Sequence, residues 1–153
     1  MSFTETDAKY MRLALSEAQA ALKAGEIPVG CVIVKDGQVI ASARNRVQQT
    51  GDVTAHAEML VIRQAGRYAL RGAVMYVTLE PCPMCAGAIA LCGISRLVYA
   101  AKDERYGCCG SVYRIPEDPA FPNFCFCDGG IMEDESRALL NEAFRGIRGE
   151  SAD

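Results

Sequence analysis

Histidine is almost absent from this chain: His56 is the only one in 153 residues. Chemistry built on paired imidazoles is thereby excluded, and no second imidazole is at hand as a proton shuttle. Apolar runs of membrane-spanning length are also missing, which excludes a transmembrane helix. No charged stretch leads into an apolar one at the start, and the opening Met1-Ser2-Phe3-Thr4-Glu5-Thr6-Asp7 is polar, so a cytoplasmic protein is expected. Basic charge is not in excess: 16 Lys and Arg against 19 Asp and Glu give a net charge of -3. The global basic footprint of most nucleic-acid binders is therefore lacking. Repeats, low-complexity tracts and linkers do not occur, so residues 1–153 are expected to form one domain.

Cysteine, by contrast, is plentiful, with eight residues. A small secreted protein would spend them on disulfides. Here the length, the lack of a leader and a Cys-x-x-Cys spacing favour free thiols and a metal. Thr6 or Asp7 can cap a helix that runs to about Ala24, with Tyr10, Leu13, Ala14, Ala18, Ala21 and Leu22 as its apolar stripe. Val29–Val34 and Gln38–Ala43 read as strands joined at Asp36-Gly37, a strong hairpin signal. A polar loop follows over Asn45–Val53, then a helix over Ala55–Ala65 capped by Thr54. Val74–Thr78 reads as a strand, Cys82–Leu91 as a helix and Leu97–Ala101 as the next strand. The Gly- and Pro-rich stretch from Lys102 to Pro122 is irregular, Phe124–Cys127 is a short strand, and Glu133–Ile147 closes the chain as a helix. This order predicts an α/β fold with a mixed sheet covered on both faces.

The lone histidine sits in Thr54-Ala55-His56-Ala57-Glu58, and Glu80-Pro81-Cys82-Pro83-Met84-Cys85 follows downstream. Taken alone, a Cys-x-x-Cys is a weak signal, shared by structural zinc sites, redox motifs and chance, and a single histidine is more often structural than a ligand. Together they are independent matches to one site. Cys82 and Cys85, three apart at a helix start, can aim both sulfurs at one ion, and the helix dipole favours their thiolates. With His56 they make three protein ligands and leave a fourth position for water, the pattern of a catalytic zinc. Glu58 is then free to act as the acid/base, taking a proton from water, passing it to a ring nitrogen and, in a second transfer, protonating the leaving amine. That His-x-Glu and Pro-Cys-x-x-Cys pairing is the signature of zinc nucleobase deaminases.

With these residues in place, the chain resembles the cytidine-deaminase superfamily. Within it, the chain is most similar to the bacterial tRNA-specific adenosine deaminases, which convert the anticodon wobble adenosine to inosine. The resemblance runs along nearly the whole chain. It rests on Ile27-Pro28-Val29-Gly30, Asn45-Arg46, the two zinc motifs, Gly107-Cys108-Cys109-Gly110-Ser111 and the ending Phe144-Arg145-Gly146-Ile147-Arg148. It implies a three-layer α/β/α fold on a five-stranded sheet, one Zn2+ per subunit, a homodimer and a tRNA anticodon stem-loop as substrate. It also implies that Asn45 hydrogen-bonds the base, that Pro28 and Val29 lie against its face, and that backbone around Ala55 and Glu80 contacts it. Asn45 is otherwise readable as a turn residue, and Pro28 and Val29 as strand entry and core. The chain departs from the family in the short Ala65–Gly72 connection, in Phe124 after Asn123, in the Ile115–Cys127 segment and in the acidic end Gly149–Asp153.

Two other readings stand beside this one. The same zinc chemistry would serve a deaminase of free guanine, cytosine or cytidine, which needs no basic surface. A zinc-stabilised, non-catalytic partner subunit would have no use for Glu58. Basic residues do gather locally (Lys102, Arg105 and Arg114; Arg145 and Arg148; Arg63, Arg67 and Arg71), and a dimer could align them. Cys108, Cys109, Cys125 and Cys127 could in principle hold a second metal, but buried, free thiols are the expected reading.

Overall fold

The computed structural model describes residues 3–147. Arg148 and the acidic end, both invoked above, lie outside the described residues. Helix α1 (Glu5–Lys23) begins two to three residues earlier than expected, capped by Thr4. The Thr4 hydroxyl oxygen accepts the Asp7 N–H at 3.1 Å and the Asp7 carboxylate accepts the Thr4 N–H at 3.0 Å, a reciprocal capping box. Its buried stripe is Tyr10, Met11, Ala14, Leu15, Ala18 and Ala21, while Leu13 is 43% exposed. Alanine on several sides of the helix leaves the stripe's bearing undecided in sequence, and packing against the sheet decides it.

Strands β1 (Gly30–Lys35) and β2 (Gln38–Arg44) form the expected hairpin. Asp36 and Gly37 both turn with positive φ, 50° and 75°, as a two-residue I′ connection requires. The loop that follows contains a short helix α2 (Val47–Thr50), and α3 (Ala57–Ala65) starts two residues later than expected. Thr54 does not cap it, because its hydroxyl donates to Asp52. Helix α4 (Arg67–Leu70) fills the connection to β3 (Val74–Leu79), and α5 (Pro83–Cys92) leads to β4 (Arg96–Ala101). A 3-10 turn (Ile115–Glu117), β5 (Phe126–Gly129) and α6 (Glu133–Ile147) complete the described chain.

The five strands lie in the order β2-β1-β3-β4-β5, antiparallel on the hairpin side and parallel from β3 to β5. Alternate residues feed opposite faces, as the two-residue period of a strand demands. Cys31, Ile33, Met75, Val77, Leu97 and Tyr99 pack against Ala57, Val61 and Ile89 of α3 and α5. Val32, Val34, Tyr76, Val98 and Ala100 pack against Tyr10, Met11 and Ala14 of α1 and Leu139 of α6. The chain thus adopts the three-layer α/β/α arrangement on a mixed five-stranded sheet.

One buried ion pair fastens α1 to this sheet. The Asp7 carboxylate accepts the Tyr76 hydroxyl at 2.8 Å and Arg96 Nη1 and Nη2 at 2.8 and 3.2 Å, while Arg96 Nε donates to Asp128 at 3.0 Å. Burial pushes the Asp7 carboxyl up. The hydrogen bonds from Arg96, the Thr4 amide and Tyr76 outweigh that and hold it well below the usual carboxylate range. The functional end of the molecule lies where parallel strands β3 and β4 finish, the usual ligand-binding edge of such sheets. Beyond β3 come Glu80 and Cys82, and beyond β4 the segment from Lys102 to Ser111.

Candidate active site

The two zinc motifs meet because each lies at a helix start. Cys82 occupies the cap position of α5, Pro83 takes its first turn where no N–H is needed, and Cys85 follows in the same turn. His56 occupies the cap position of α3 with extended backbone, φ -74° and ψ 149°, and its side chain makes no cap bond. The ring is therefore free to face the sulfurs: His56 Nδ1 lies 3.6 Å from both Cys82 Sγ and Cys85 Sγ. A tetrahedral zinc with bonds of about 2.1 Å to nitrogen and about 2.3 Å to sulfur separates those atoms by about 3.6 Å. The residues present therefore fit the ion. Among the described residues this is the one cluster of at least three His, Cys, Asp or Glu with ligand atoms all within 4.8 Å of each other.

The electrostatics suit a cation. The thiol of Cys85 hydrogen-bonds to Cys82, and this outweighs burial, with help from His56, to bring Cys82 down to about 4. The same bond, joined by burial and the charge of Glu58, pushes Cys85 up. The Cys82 partner raises His56 against the effect of burial. Glu58 is 4% exposed, and burial above all, reinforced by the charge of Cys82, lifts it to about 7. A divalent ion beside these groups reinforces the thiolate of Cys82 and opposes the upward shifts of Cys85 and Glu58, stabilising thiolates and carboxylate alike.

His56, Glu58 and Cys82 open onto a cavity of about 420 Å³ that Val29, Asn45 and Leu79 also line. Asn45 is buried, and its Oδ1 accepts the Ala57 N–H at 2.8 Å, capping α3. Because that acceptor role fixes the amide's orientation, its NH2 is the group left to donate into the cavity. Pro28, expected against the base, is buried and is not among the residues that line the cavity. Ala55 is also buried, its N–H donating to the Asp52 carbonyl and its carbonyl accepting the Arg46 N–H, both at 3.0 Å. Glu80 lines the cavity, with its backbone N–H donating to the Ala101 carbonyl at 2.8 Å.

A family model, the cytidine and deoxycytidylate deaminase zinc-binding region, matches residues 4–101. The chain belongs to that deaminase family. A tRNA-specific adenosine deaminase of Agrobacterium fabrum is 45% identical over 140 residues, covering 89% of this chain and 92% of that protein. A solved structure from work on A-to-I editing by tRNA:A34 deaminases superposes with a TM-score of 0.82 at 44% identity, covering 87% of this chain and 99% of the other. A guanine deaminase from Bacillus subtilis is 40% identical with a TM-score of 0.59, over 65% of this chain and 66% of that one.

This deaminase-family cavity has further walls that the motifs do not announce. Asp103 and Tyr106 line it from the segment after β4, and Glu26 from the turn before β1. The Glu80 side chain holds the first of these walls. Its Oε1 accepts the Asp103 N–H at 3.1 Å and the Ser111 hydroxyl, and its Oε2 accepts the N–H groups of Cys109 and Ser111 at 3.1 and 2.9 Å. Gly107 passes so close that an added Cβ would lie 2.4 Å from Glu80 Cδ. Only the Gly-Ser character of residues 107–111 hints at this in the sequence. Lys102, Arg105 and Arg137 line an adjoining cavity of about 520 Å³ that shares Leu79, Asp103 and Tyr106. Arg114 instead faces Glu117 at 3.6 Å, and Arg67 and Arg71 line a separate groove. Cys108, Cys109 and Cys125 are buried free thiols, and Cys127 is partly buried.

Proposed function

We infer that this chain deaminates adenosine to inosine at the wobble position of tRNA anticodons, as a zinc-dependent hydrolase. What carries the reading is that a likeness spanning about nine-tenths of the chain, at 45% identity, is to a tRNA-specific adenosine deaminase. The cavity supports it: His56 and Cys82 as ligands, Glu58 as acid/base and the Asn45 amide as a donor line a space of about 420 Å³, and the third ligand, Cys85, lies behind them with its Sγ 3.6 Å from His56 Nδ1. Zinc bound there supplies the Lewis acidity that makes water a nucleophile at neutral pH. Glu58 takes one proton from the attacking water and delivers it to a ring nitrogen, then takes the second from the added hydroxyl and passes it to the departing amine. Ammonia leaves and a carbonyl remains. Val29 and Leu79 exclude bulk water and flank the flat base, and Asn45 orients it. We place the enzyme in the cytoplasm as a homodimer. Tyr68 and Leu91, 82% and 67% exposed, flank a groove of about 720 Å³ that a second copy would cover. No described helix is long and apolar enough to cross a membrane.

The second reading, a free-base deaminase, draws on the 40% identity to a guanine deaminase, though over only 65% of the chain. One assay separates the two. The protein is incubated with an anticodon stem-loop carrying a wobble adenosine, and in parallel with guanine, cytosine and cytidine. Inosine in the RNA is expected, whereas ammonia from a free base alone would overturn the assignment. In the same assay Glu58→Ala should keep zinc and fold but slow turnover by about 10²–10⁴-fold, the usual worth of a general acid/base. Undiminished turnover removes Glu58 from the mechanism.

A further inference from the structure

Glu26 is a buried carboxylate to which the chemistry above gives no task. It is 4% exposed, sits between α1 and β1 and lines the cavity that holds His56 and Glu58. Its Oε1 accepts the Gln48 N–H at 2.9 Å and its Oε2 accepts the Gln49 N–H at 2.7 Å. These amides belong to the first turn of α2, where a helix leaves its N–H groups without internal partners. Arg46, at the cap position, provides no side-chain cap bond. A helix of four residues does not hold itself together in water, so its placement depends on outside partners. The distant Glu26 is the partner that satisfies its first turn.

The segment held in this way forms one side of the cavity. Val47 and Gln48 line it, and Asn45 stands immediately before them. Asn45 is in turn tied to α3 through the Ala57 amide. Residues 45–49 are therefore pinned at one end to the helix that carries Glu58 and at the other to Glu26. Glu26, Ile27 and Gln48 also line a second groove of about 980 Å³, so the contact between Glu26 and α2 forms part of the wall between the two spaces.

We propose that Glu26 is a positioning residue for substrate binding, holding α2 and with it the cavity-lining Val47 and Gln48, beside the separately anchored Asn45, in the arrangement that receives the nucleobase. This rests on reading the cavity as the base pocket. Without the carboxylate, the 47–49 segment samples other positions in the free enzyme, and only a fraction of molecules can bind. The apparent dissociation constant rises by the inverse of that fraction. Substrate, once bound, selects the competent arrangement, so turnover of the complex is retained.

The test compares wild type, E26Q and E26A on the anticodon stem-loop, with zinc content and amide exchange measured on the same preparations. Glutamine keeps the shape but points an NH2 group at one of the two backbone donors. KM for E26Q is expected to rise about tenfold, the factor for one lost charge-assisted hydrogen bond, and further for E26A, with kcat within about twofold. Zinc stoichiometry should be unchanged, while the Gln48 and Gln49 amides exchange faster. An unchanged KM overturns the proposal. So does a fall in kcat at constant KM, or a loss of zinc, since either marks general damage to the fold. If wild type turns over only a free base, the functional reading fails instead, and the same KM-against-kcat split is then read on that base.

Discussion

Glu80→Gln should cost about 2–3 kcal/mol of stability although it hardly alters volume, because one side-chain oxygen cannot replace two. The carboxylate is 2% exposed and accepts four hydrogen bonds from residues 103–111. With its oxygen toward Cys109 and Ser111, glutamine keeps those two amides, and its NH2 can donate to the Ser111 hydroxyl, which reverses its role. The Asp103 N–H then faces another donor. In the opposite orientation two amides are stranded. The best arrangement therefore forfeits one charge-assisted bond, about 1.5–3 kcal/mol, and converts the others to weaker neutral ones. Urea unfolding at fixed free zinc measures this, since zinc binding to the native state otherwise adds to apparent stability. The midpoint should fall with an unchanged slope, and the melting temperature should drop by about 4–12 °C for a chain of this size. A loss below about 0.5 kcal/mol, within the range of ordinary surface substitutions, would refute the view that Glu80 anchors this wall.

Three further outcomes are expected. Cys85→Ala should lose zinc and stability together, and elemental analysis showing full zinc would sink its assignment as a ligand. Asp7→Asn should destabilise by about 2–3 kcal/mol through the bonds to Arg96, Tyr76 and Thr4. Because the folded carboxyl is held below its ordinary value, that contribution is complete above the unfolded pKa of about 3.9 and fades as pH falls through the lower folded value. Denaturation series should thus show a wild-type advantage that is level from about pH 6 to 8 and shrinks on acidification, and an advantage that grows below about pH 4 would contradict the sign. Lys102→Gln and Arg105→Gln should each flatten the log–log salt dependence of stem-loop binding by about 0.7, and an unaltered slope would remove them from the RNA's path.

The parts of the site that were legible in the sequence are those whose chemistry dictates residue type at short range. His56 and Glu58, and Cys82 and Cys85, must share helix starts to meet one ion, and Asp36-Gly37 is a turn because both residues need positive φ. The parts that were not legible depend on partners far along the chain. Thr4, Thr6 and Asp7 can each cap α1, and Thr4 takes the position while Asp7 reaches Tyr76 and Arg96, 69 and 89 residues away. Thr54 seemed free to cap α3 until Asp52 engaged its hydroxyl. The work of Glu26 and Glu80 follows no periodicity, because a carboxylate serving the backbone of a distant loop leaves no pattern in its own neighbourhood.

Those buried carboxylates also change what the net charge of -3 means. Asp7, Glu26, Glu58 and Glu80 are all at most 4% exposed. Taking these four from the 19 acidic residues leaves 15, and setting aside Arg96, which pairs with Asp7, leaves 15 of the 16 Lys and Arg. Asp7 is moreover neutralised by Arg96 at 2.8 Å, and Glu26 and Glu80 are directed at backbone amides. An approaching phosphate backbone therefore meets a surface close to neutral, on which position matters more than the total. Lys102, Arg105 and Arg137 are gathered around the cavity that adjoins the one lined by Glu58, and Arg105 lies over the exposed ring of Tyr106 at 5.5 Å. A cation beside an aromatic face is the kind of surface on which single-stranded nucleic acid stacks and pairs its charge. Part of the acidity that counted against an RNA substrate in the sequence is, in the folded chain, turned inward: Glu26, Glu58 and Glu80 line the pocket, and Asp7 ties α1 to the sheet.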